Sequence, residues 1–370
     1  MLDIRPLPPL IHLMTDSHFE LYRRGLYGAL TAFLVCLFSG PFIIRLLKSH
    51  RVRQVFRTRQ QVRDLAMLHE SKFGTPTMGG LIILLGALSS MAIWASFNDL
   101  VIIATCVYLS CTLLGIIDDS LKIFYGSSRG INSLYKLIVP ALLVTGLYFI
   151  AKHNPPLRHL LTYVDWEFLS TWTPRTVIIG IAVLYFFVIA GSCNAVNLTD
   201  GIDGLAITNI MMCFIFFAFT AYSSCNFKMT EHSMLSYVSG ASELYVLCCC
   251  FGGACLGFCL FNLHPASIFM GDTGSIGLGG LLAIVAILLR QPFSLLLVGI
   301  IFVVEALSVM LQMTSKKIFR RKIFLMSPLH HHFELKGNSE RRIVKVSFAI
   351  QCLCILITLA IIFYGPAYIH

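Results

Sequence analysis

Two sets of acidic residues stand out in a chain that carries few charges. Asp118 and Asp119 are adjacent, and Asp272 lies within a Gly-Asp-Thr-Gly stretch and is the only charged residue between Glu243 and Arg290. A carboxylate with small neighbours and open backbone access suits a magnesium–phosphate site. A plain helix N-cap is the alternative for Asp272.

The Asp118–Asp119 pair follows a long apolar stretch and falls near the end of a predicted helix. Acidic side chains there oppose the helix dipole and repel each other, unless a cation compensates them. The pair therefore indicates a metal, a lysine or a phosphate nearby. Simple solvation of a helix end is the alternative.

A third motif, residues 194–204, repeats polar side chains every three positions, at Asn194, Asn197, Asp200 and Asp203. Two Asp-Gly steps make a continuous regular helix unfavourable. A turn of amides and carboxylates suits a ribose, base edges or a hydrated cation. A capped turn between two helices is the alternative.

Residues 72–80 place Lys72 and Thr75 ahead of two glycines. A cation, hydroxyls and close backbone approach suit a phosphate, although glycine-rich helix starts are common. No Walker pattern is present.

A fifth motif, residues 327–334, contains three consecutive histidines, His330, His331 and His332. They point about 100° apart on a helix, so they cannot all bind one metal there. Phosphate donors, surface contacts and acid–base groups remain open. Glu305 and Gln312 lie inside a predicted span, and such polar groups face a bundle interior or a cavity.

Composition determines what must position these motifs. Hydrophobic residues make up 57% of the chain and charged residues 12%, which predicts an all-α integral membrane bundle, residues 1–370 forming one polytopic domain. The thirteen cysteines fall mostly in apolar runs and are predicted to be unpaired. The ten predicted transmembrane spans lie near residues 26–47, 79–96, 100–117, 134–151, 176–193, 205–222, 244–261, 276–289, 293–313 and 346–365.

The basic residues predict an orientation. Twenty of the 28 lysines and arginines fall on one set of alternating loops, which the positive-inside rule assigns to the cytoplasm, with both termini periplasmic. The charge of +10 mostly reflects this asymmetry, so it favours membrane lipid headgroups and gives no support to a nucleic-acid partner. All five motifs fall on the predicted cytoplasmic face, which predicts one site for magnesium and phosphate chemistry.

At these motifs the sequence resembles the polyprenyl-phosphate N-acetylhexosamine-1-phosphate transferases, over essentially the whole chain. The motif Pro-Leu-His-His-His-Phe-Glu at 328–334 narrows the resemblance to the branch that transfers phospho-N-acetylmuramoyl-pentapeptide. The resemblance implies a multi-pass enzyme of the bacterial inner membrane and a homodimer. It implies transfer from UDP-N-acetylmuramoyl-pentapeptide to undecaprenyl phosphate, giving lipid I and UMP in peptidoglycan synthesis.

The resemblance also implies roles. Asp272 would bind Mg²⁺ on the pyrophosphate, with Asn194 as a second metal ligand. Asp118 and Asp119 would orient or deprotonate the lipid phosphate, and Lys72 and Lys136 would neutralise charge. His331 is a further catalytic candidate. The predicted substrate-binding residues are Thr75, Asn194, Asn197, Asp200, Asp203, Phe269, Gln312, His330 and His332.

Two other functions compete with this interpretation. A sister transferase that uses UDP-N-acetylglucosamine is disfavoured by the histidine motif. A secondary transporter would place its carboxylates near the bilayer centre, often in two corresponding halves, and the sequence has no repeated half. The sequence does not distinguish direct attack by the lipid phosphate from a covalent aspartyl intermediate.

Overall fold

A computed structural model describes residues 16–50, 52–53, 74–126, 130–154, 157, 160 and 174–365. Within these ranges the chain is helical and contains no named strand. The helices in chain order are α1 (Asp16–Ser49), α2 (Gly80–Trp94), α3 (Asp99–Phe124), α4 (Ser133–Lys136), α5 (Ile138–His153), α6 (Pro174–Thr199), α7 (Leu205–Ser224), α8 (Phe227–Glu231), α9 (Ala241–Asn262), α10 (Gly271–Leu288), α11 (Pro292–Val298), α12 (Ile300–Ile318), α13 (Leu329–Leu335) and α14 (Glu340–Tyr364).

The all-α membrane class predicted from composition is confirmed. The described part of the chain holds eight helices that are long and apolar enough to cross a membrane. Helices α11 and α12 pass the same test together, as a pair bent by 83°. Helix α2 has 15 residues, fewer than the roughly 20 of a straight crossing. The ten predicted spans are reached only if the short helix α2 and the bent pair are each counted as one crossing. The side of the membrane on which the termini lie stays a prediction.

Helix α10 forms the centre of the bundle. Every side chain from Asp272 to Leu288 is buried, and the helix packs mainly against α3 and α6. A helix that is apolar on all sides belongs inside a bundle. In the membrane-length segments that end with α1, α5 and α14, less than a third of the residues are buried, so these helices lie nearer the periphery. All thirteen cysteines are free thiols, as predicted.

The ninth predicted span, 293–313, is broken at Gly299 between α11 and α12. The break removes the continuous hydrogen-bond ladder, so the carbonyl of Val298 needs another donor. Gln351 of α14 donates its amide to this carbonyl, and the Cys213 thiol of α7 lies 3.4 Å from it. The bend is thus held by side chains from two other helices.

Helices α3 and α6 continue several residues past the ends of the apolar runs that predicted them. Helix α3 continues past Asp118 and Asp119 to Phe124, and α6 continues to Thr199. The expected loss of helix across residues 194–204 is therefore wrong for Asn194 and Asn197 and correct after Thr199. The last turns of both helices contain polar residues because these turns contact other parts of the protein and not lipid.

Candidate active site

Two glycine-containing motifs, almost 200 residues apart in sequence, pair through their backbones. Phe269 N–H donates to the Pro76 carbonyl at 2.9 Å, and Gly79 N–H donates to the Phe269 carbonyl at 2.8 Å. A β-carbon on Gly80 would lie 2.3 Å from the Gly274 nitrogen, so only glycine allows this approach. The pairing brings the start of α2 against the start of α10.

Asp119 fixes the first turn of α10. Its carboxylate accepts hydrogen bonds from Asp272 N–H at 3.2 Å and from Thr273 N–H at 2.9 Å. The Thr273 hydroxyl adds a third bond at 2.8 Å. The first N–H groups of a helix have no partner within the helix, and Asp119 supplies one from outside. Both of its oxygens are therefore already engaged.

Asp272 is not a helix cap, because Met270 occupies the N-cap position of α10. Its Oδ2 lies 3.0 Å from the ammonium groups of both Lys122 and Lys136. Asp118 Oδ2 lies 2.6 Å from Lys122 and 3.1 Å from Lys136. The two lysines thus bridge two carboxylates that come from different helices.

Asp118 is fully buried, and its other oxygen accepts a hydrogen bond from Ile131 N–H at 2.6 Å. One oxygen each from Asp118, Asp119 and Asp272 lie within 4.8 Å of one another. We call these three residues the acidic cluster. The cluster joins the end of α3 to the start of α10.

Asn197 of α6 reaches the acidic cluster. Its amide donates to Asp272 Oδ1 and to the Ser275 hydroxyl, both at 2.9 Å. Asn194 lies one turn earlier, is exposed, and donates to the Ala190 carbonyl of its own helix. Among the contacts of the described residues, Asn197 rather than Asn194 touches Asp272.

Asp200 follows the end of α6, next to the acidic cluster. Burial of its carboxyl, together with the nearby negative charges of Asp272, Asp119 and Asp203, raises its pKa to about 8, although a hydrogen bond from Gly271 N–H acts in the opposite direction. Uncompensated negative charge at this position disfavours the ionised form. Asp200 therefore lies where added positive charge is stabilising.

Asp203 belongs to a second polar group beside the turn. Its Oδ2 lies 3.2 Å from His264 Nδ1 and accepts Ala266 N–H at 3.1 Å. Glu340 at the start of α14 accepts Asp203 N–H at 3.1 Å. This group connects the turn at 200–204 to the segment before α10 and to the last helix.

The histidine segment is held by two polar side chains of α12. Gln312 Oε1 accepts Ile323 N–H and Phe324 N–H, both at 3.0 Å, and its amide donates to the Phe324 carbonyl. Glu305 accepts His330 N–H at 3.1 Å. Gln312 is therefore nearly inaccessible and supports the loop, so direct substrate contact by Gln312 stays a prediction.

The three histidines lie on the short helix α13, and each meets a different partner. His330 is buried beside Glu305, His331 Nδ1 lies 2.6 Å from Glu334 Oε2, and His332 Nδ1 accepts Leu325 N–H at 3.1 Å. Desolvation lowers the pKa of His332, and the charge of Lys336 lowers it further.

His330 also connects the histidine segment to the turn at 200–204. A β-carbon on Gly201 would lie 2.2 Å from His330 Nε2, so the ring packs directly on this glycine. Gly201 follows Asp200 in the chain, which places the histidine segment one residue from a group that faces the acidic cluster.

The structure thus assembles most of the predicted site. Phe269 and Thr75 are half-buried and flank the paired backbone segments, and among the described residues no side-chain hydrogen bond connects Thr75 to the acidic cluster. Lys72 lies outside the described residues.

The sequence interpretation did not single out Lys122, although it lies four residues after Asp118 on α3. That spacing places the two side chains on one face of a helix and is the signal that could have identified it. Thr273, His264 and Glu340 were also missed. Their roles depend on contacts between distant segments, which the spacing within one motif does not encode.

The acidic cluster and its two lysines formally carry three negative and two positive charges. Carboxylate oxygens are hard ligands of the kind Mg²⁺ prefers, and a remaining negative charge favours a dication. Two ammonium groups in the same place suit an anionic phosphate. Close backbone contacts at Gly80 and Gly115, where a β-carbon would clash with α10, hold α2 and α3 against the start of α10.

Comparison with known proteins gives two findings. A family model described as glycosyl transferase family 4 matches residues 101–290, a range that contains the acidic cluster. A curated phospho-N-acetylmuramoyl-pentapeptide-transferase of Vesicomyosocius okutanii subsp. Calyptogena okutanii (strain HA) is 38% identical over 364 residues. The alignment covers 95% of this chain and 98% of that relative. Neither finding favours a transporter or a transferase specific for UDP-N-acetylglucosamine.

Proposed function

The chain belongs to the phospho-N-acetylmuramoyl-pentapeptide transferase family, within glycosyl transferase family 4, and on this premise we propose the reaction that it catalyses. The enzyme transfers phospho-N-acetylmuramoyl-pentapeptide from UDP-N-acetylmuramoyl-pentapeptide to undecaprenyl phosphate. The products are lipid I and UMP, and the step begins the membrane stage of peptidoglycan synthesis.

One observation carries this proposal beyond family membership. Asp118 and Asp272, from different helices, are bridged by Lys122 and Lys136 at the start of the buried helix α10. Buried carboxylates are expensive unless they are paired, so such a cluster marks a functional site. Phosphoryl transfer needs mainly positioning and charge stabilisation, and the cluster offers both.

The donor set of the acidic cluster fits Mg²⁺. Asp272 would hold the ion together with Asp118, whose buried Oδ2 has no hydrogen-bond partner among the described residues apart from its ion pairs with the two lysines, whereas Asp119 binds three donors at the start of α10. When bound, Mg²⁺ supplies charge neutralisation on the pyrophosphate of the nucleotide substrate. Asn194 is a weaker candidate ligand, since its amide is directed to its own helix.

The protein side chains then divide the remaining work. Asp118 accepts a proton from, or orients, the lipid phosphate, and Asp119 positions Asp272. Lys122 and Lys136 stabilise negative charge as the lipid phosphate oxygen bonds to the β-phosphorus and the bond to UMP breaks. The turn at 200–204, with Asn197 and Phe269, binds the nucleoside and phosphates.

Direct attack by the lipid phosphate requires no free nucleophilic carboxylate. Asp119 has no free oxygen, and Asp118 Oδ2 lies against two ammonium groups. We therefore favour one displacement step without a covalent aspartyl intermediate. We also propose that the enzyme lies in the bacterial inner membrane, which its apolar helices and its bacterial relative support, and that it is a homodimer, as the family resemblance implies.

Release of UMP by the purified full-length chain tests the proposal. In detergent with Mg²⁺, UDP-N-acetylmuramoyl-pentapeptide and undecaprenyl phosphate should give UMP and lipid I, whereas UDP-N-acetylglucosamine should give neither. Omitting the lipid should abolish UMP formation, because direct displacement needs the acceptor. One equivalent of UMP per enzyme without lipid would indicate a covalent intermediate instead.

A further inference from the structure

Helix α12 has the opposite polarity to an ordinary surface helix. After its first turn, its buried side chains are polar, and they recur at helical spacing: Glu305, Ser308, Gln312 and Ser315. Its exposed side chains before Thr314 are apolar and include Leu307, Met310, Leu311 and Met313. A helix that turns its apolar face outward requires an apolar environment, and in this multi-pass protein that environment is lipid.

The eight residues 316–323 begin in the last turn of this helix and extend beyond it, and we call them the basic segment. All eight are exposed. Five are cationic and three are large and apolar: Lys316, Lys317, Arg320, Arg321, Lys322, Ile318, Phe319 and Ile323. The sequence between Glu305 and Glu334 contains no acidic residue to balance these charges.

Hydrogen bonds from α12 hold the basic segment in place. The Ser315 hydroxyl donates to the Arg321 carbonyl at 2.9 Å, and Gln312 binds the backbone at the end of the segment. The Phe319 side chain nevertheless stays 69% exposed. Its exposure is thus part of a defined loop structure that presents cations and apolar groups together.

We propose that the basic segment is a docking surface for the headgroups of anionic phospholipids. Lysine and arginine near a bilayer are attracted to anionic headgroups, and aromatic or branched side chains enter the boundary between headgroups and acyl chains. The segment combines both groups at the end of a helix whose outer face is apolar. This surface is separate from the acidic cluster and goes beyond the transfer reaction.

Quenching of a tryptophan placed in the segment tests the proposal. The full chain carrying Phe319→Trp is reconstituted in phosphatidylcholine vesicles that contain brominated phosphatidylglycerol or brominated phosphatidylcholine. The quenching of the parent chain is subtracted. We expect brominated phosphatidylglycerol to quench about threefold more strongly at low salt, and the preference to fall at high salt because ions screen it.

In a Phe319→Trp variant with all five cations also changed to glutamine, the two brominated lipids should quench the tryptophan equally. Retained quenching by brominated phosphatidylcholine would show that it still sits in the bilayer. A control with Arg342→Gln and Lys345→Gln, which are exposed but outside the segment, should keep the preference. If the two lipids quench equally in the Phe319→Trp chain that keeps its five cations, the proposed selectivity for anionic headgroups is wrong. Absence of quenching by either lipid overturns membrane contact by the segment.

Discussion

The Glu305 carboxylate lies 3.2 Å from His330 Nδ1 and also accepts the His330 backbone N–H, so one buried acid binds the backbone of this histidine and lies against its ring. His330 is itself fully buried, and its other ring nitrogen packs on Gly201. The pair therefore joins α12, the histidine segment and the turn at 200–204. It also indicates that His330 acts by positioning, whereas His331 and His332 are more accessible.

The first prediction concerns this pair. Glu305→Ala leaves a buried N–H without an acceptor, which costs about 1–3 kcal/mol, so we expect UMP release to fall roughly ten- to hundredfold. Glu305→Gln keeps an acceptor oxygen and should lose less. Because both residues act as one unit, Glu305→Ala with His330→Ala should be little worse than the more damaging single variant. If the fold-loss in UMP release of the double variant equals the product of the two single losses, Glu305 and His330 are not coupled.

The second prediction concerns Lys122. Lys122→Met retains the aliphatic stem but removes the ammonium that bridges Asp118 and Asp272. The two buried carboxylates then share the one remaining ammonium group of Lys136, and we expect UMP release to fall at least about a hundredfold. Lys228→Met, at an exposed position, should leave the rate unchanged. If the Lys122→Met enzyme releases UMP at a nearly normal rate, Lys122 has no essential role in the reaction.

The third prediction concerns the metal. Asp272→Asn preserves volume but removes one negative charge facing Lys122 and Lys136. Weaker Mg²⁺ binding should lower UMP release strongly and shift the Mg²⁺ titration to higher concentration, with little loss of thermal stability. An unchanged Mg²⁺ titration would indicate that the ion binds elsewhere.

The fourth prediction concerns helix spacing. A β-carbon on Gly115 would lie 2.2 Å from the Asp272 carbonyl oxygen, so Gly115→Ala must push α3 away from α10. Such overpacking costs about 1–3 kcal/mol, and we expect a lower unfolding temperature and roughly five- to a hundredfold less UMP release. Gly146→Ala in α5 meets no atom within 4 Å and should be neutral or slightly stabilising. Equal behaviour of the two variants would contradict the close approach.

The fifth prediction concerns pH. The pKa of Asp200 is raised to about 8 from 3.8, so the folded state binds the proton more tightly than the unfolded chain. Stability should therefore fall as pH rises from about 4 to about 8. Asp200→Asn lacks this dependence. Without Mg²⁺, the unfolding temperature of the variant minus that of the parent should therefore increase between pH 5.5 and pH 8.5. Glu231→Gln, at an exposed position, is the control, and a constant difference between Asp200→Asn and the parent would contradict the prediction.

The sequence predicted the fold class because apolar runs of membrane length are a direct physical signal. It also located Asp118, Asp119 and Asp272, because carboxylates are rare beside such runs. It did not predict that Asp119 serves mainly to hold α10. That distinction depends on which backbone N–H groups lie near each oxygen, and these belong to residues more than 150 positions away.

The bend between α11 and α12 was also beyond the sequence. Gly299 permits a break, but the apolar run 293–313 reads as one span. Its direction depends on Gln351, a single polar residue in a later apolar helix, and the significance of Gln351 appears only when the helices pack. Lys122 is the opposite case, since its four-residue spacing from Asp118 was visible in the sequence.

The contact between Gln351 and Val298 has a consequence for biosynthesis. The carbonyl at the bend needs a donor in a region without water, where an unpaired polar group costs several kcal/mol. That donor lies about 50 residues further along the chain, within α14, which is synthesised after α12. Until α14 is inserted, the carbonyl of Val298 has only the weak thiol donor of Cys213 among these two contacts, so we expect the bend to be fully stabilised only once α14 is in place. A nascent chain stopped after the histidine segment should contain every residue of the acidic cluster and still lack a stable arrangement around it.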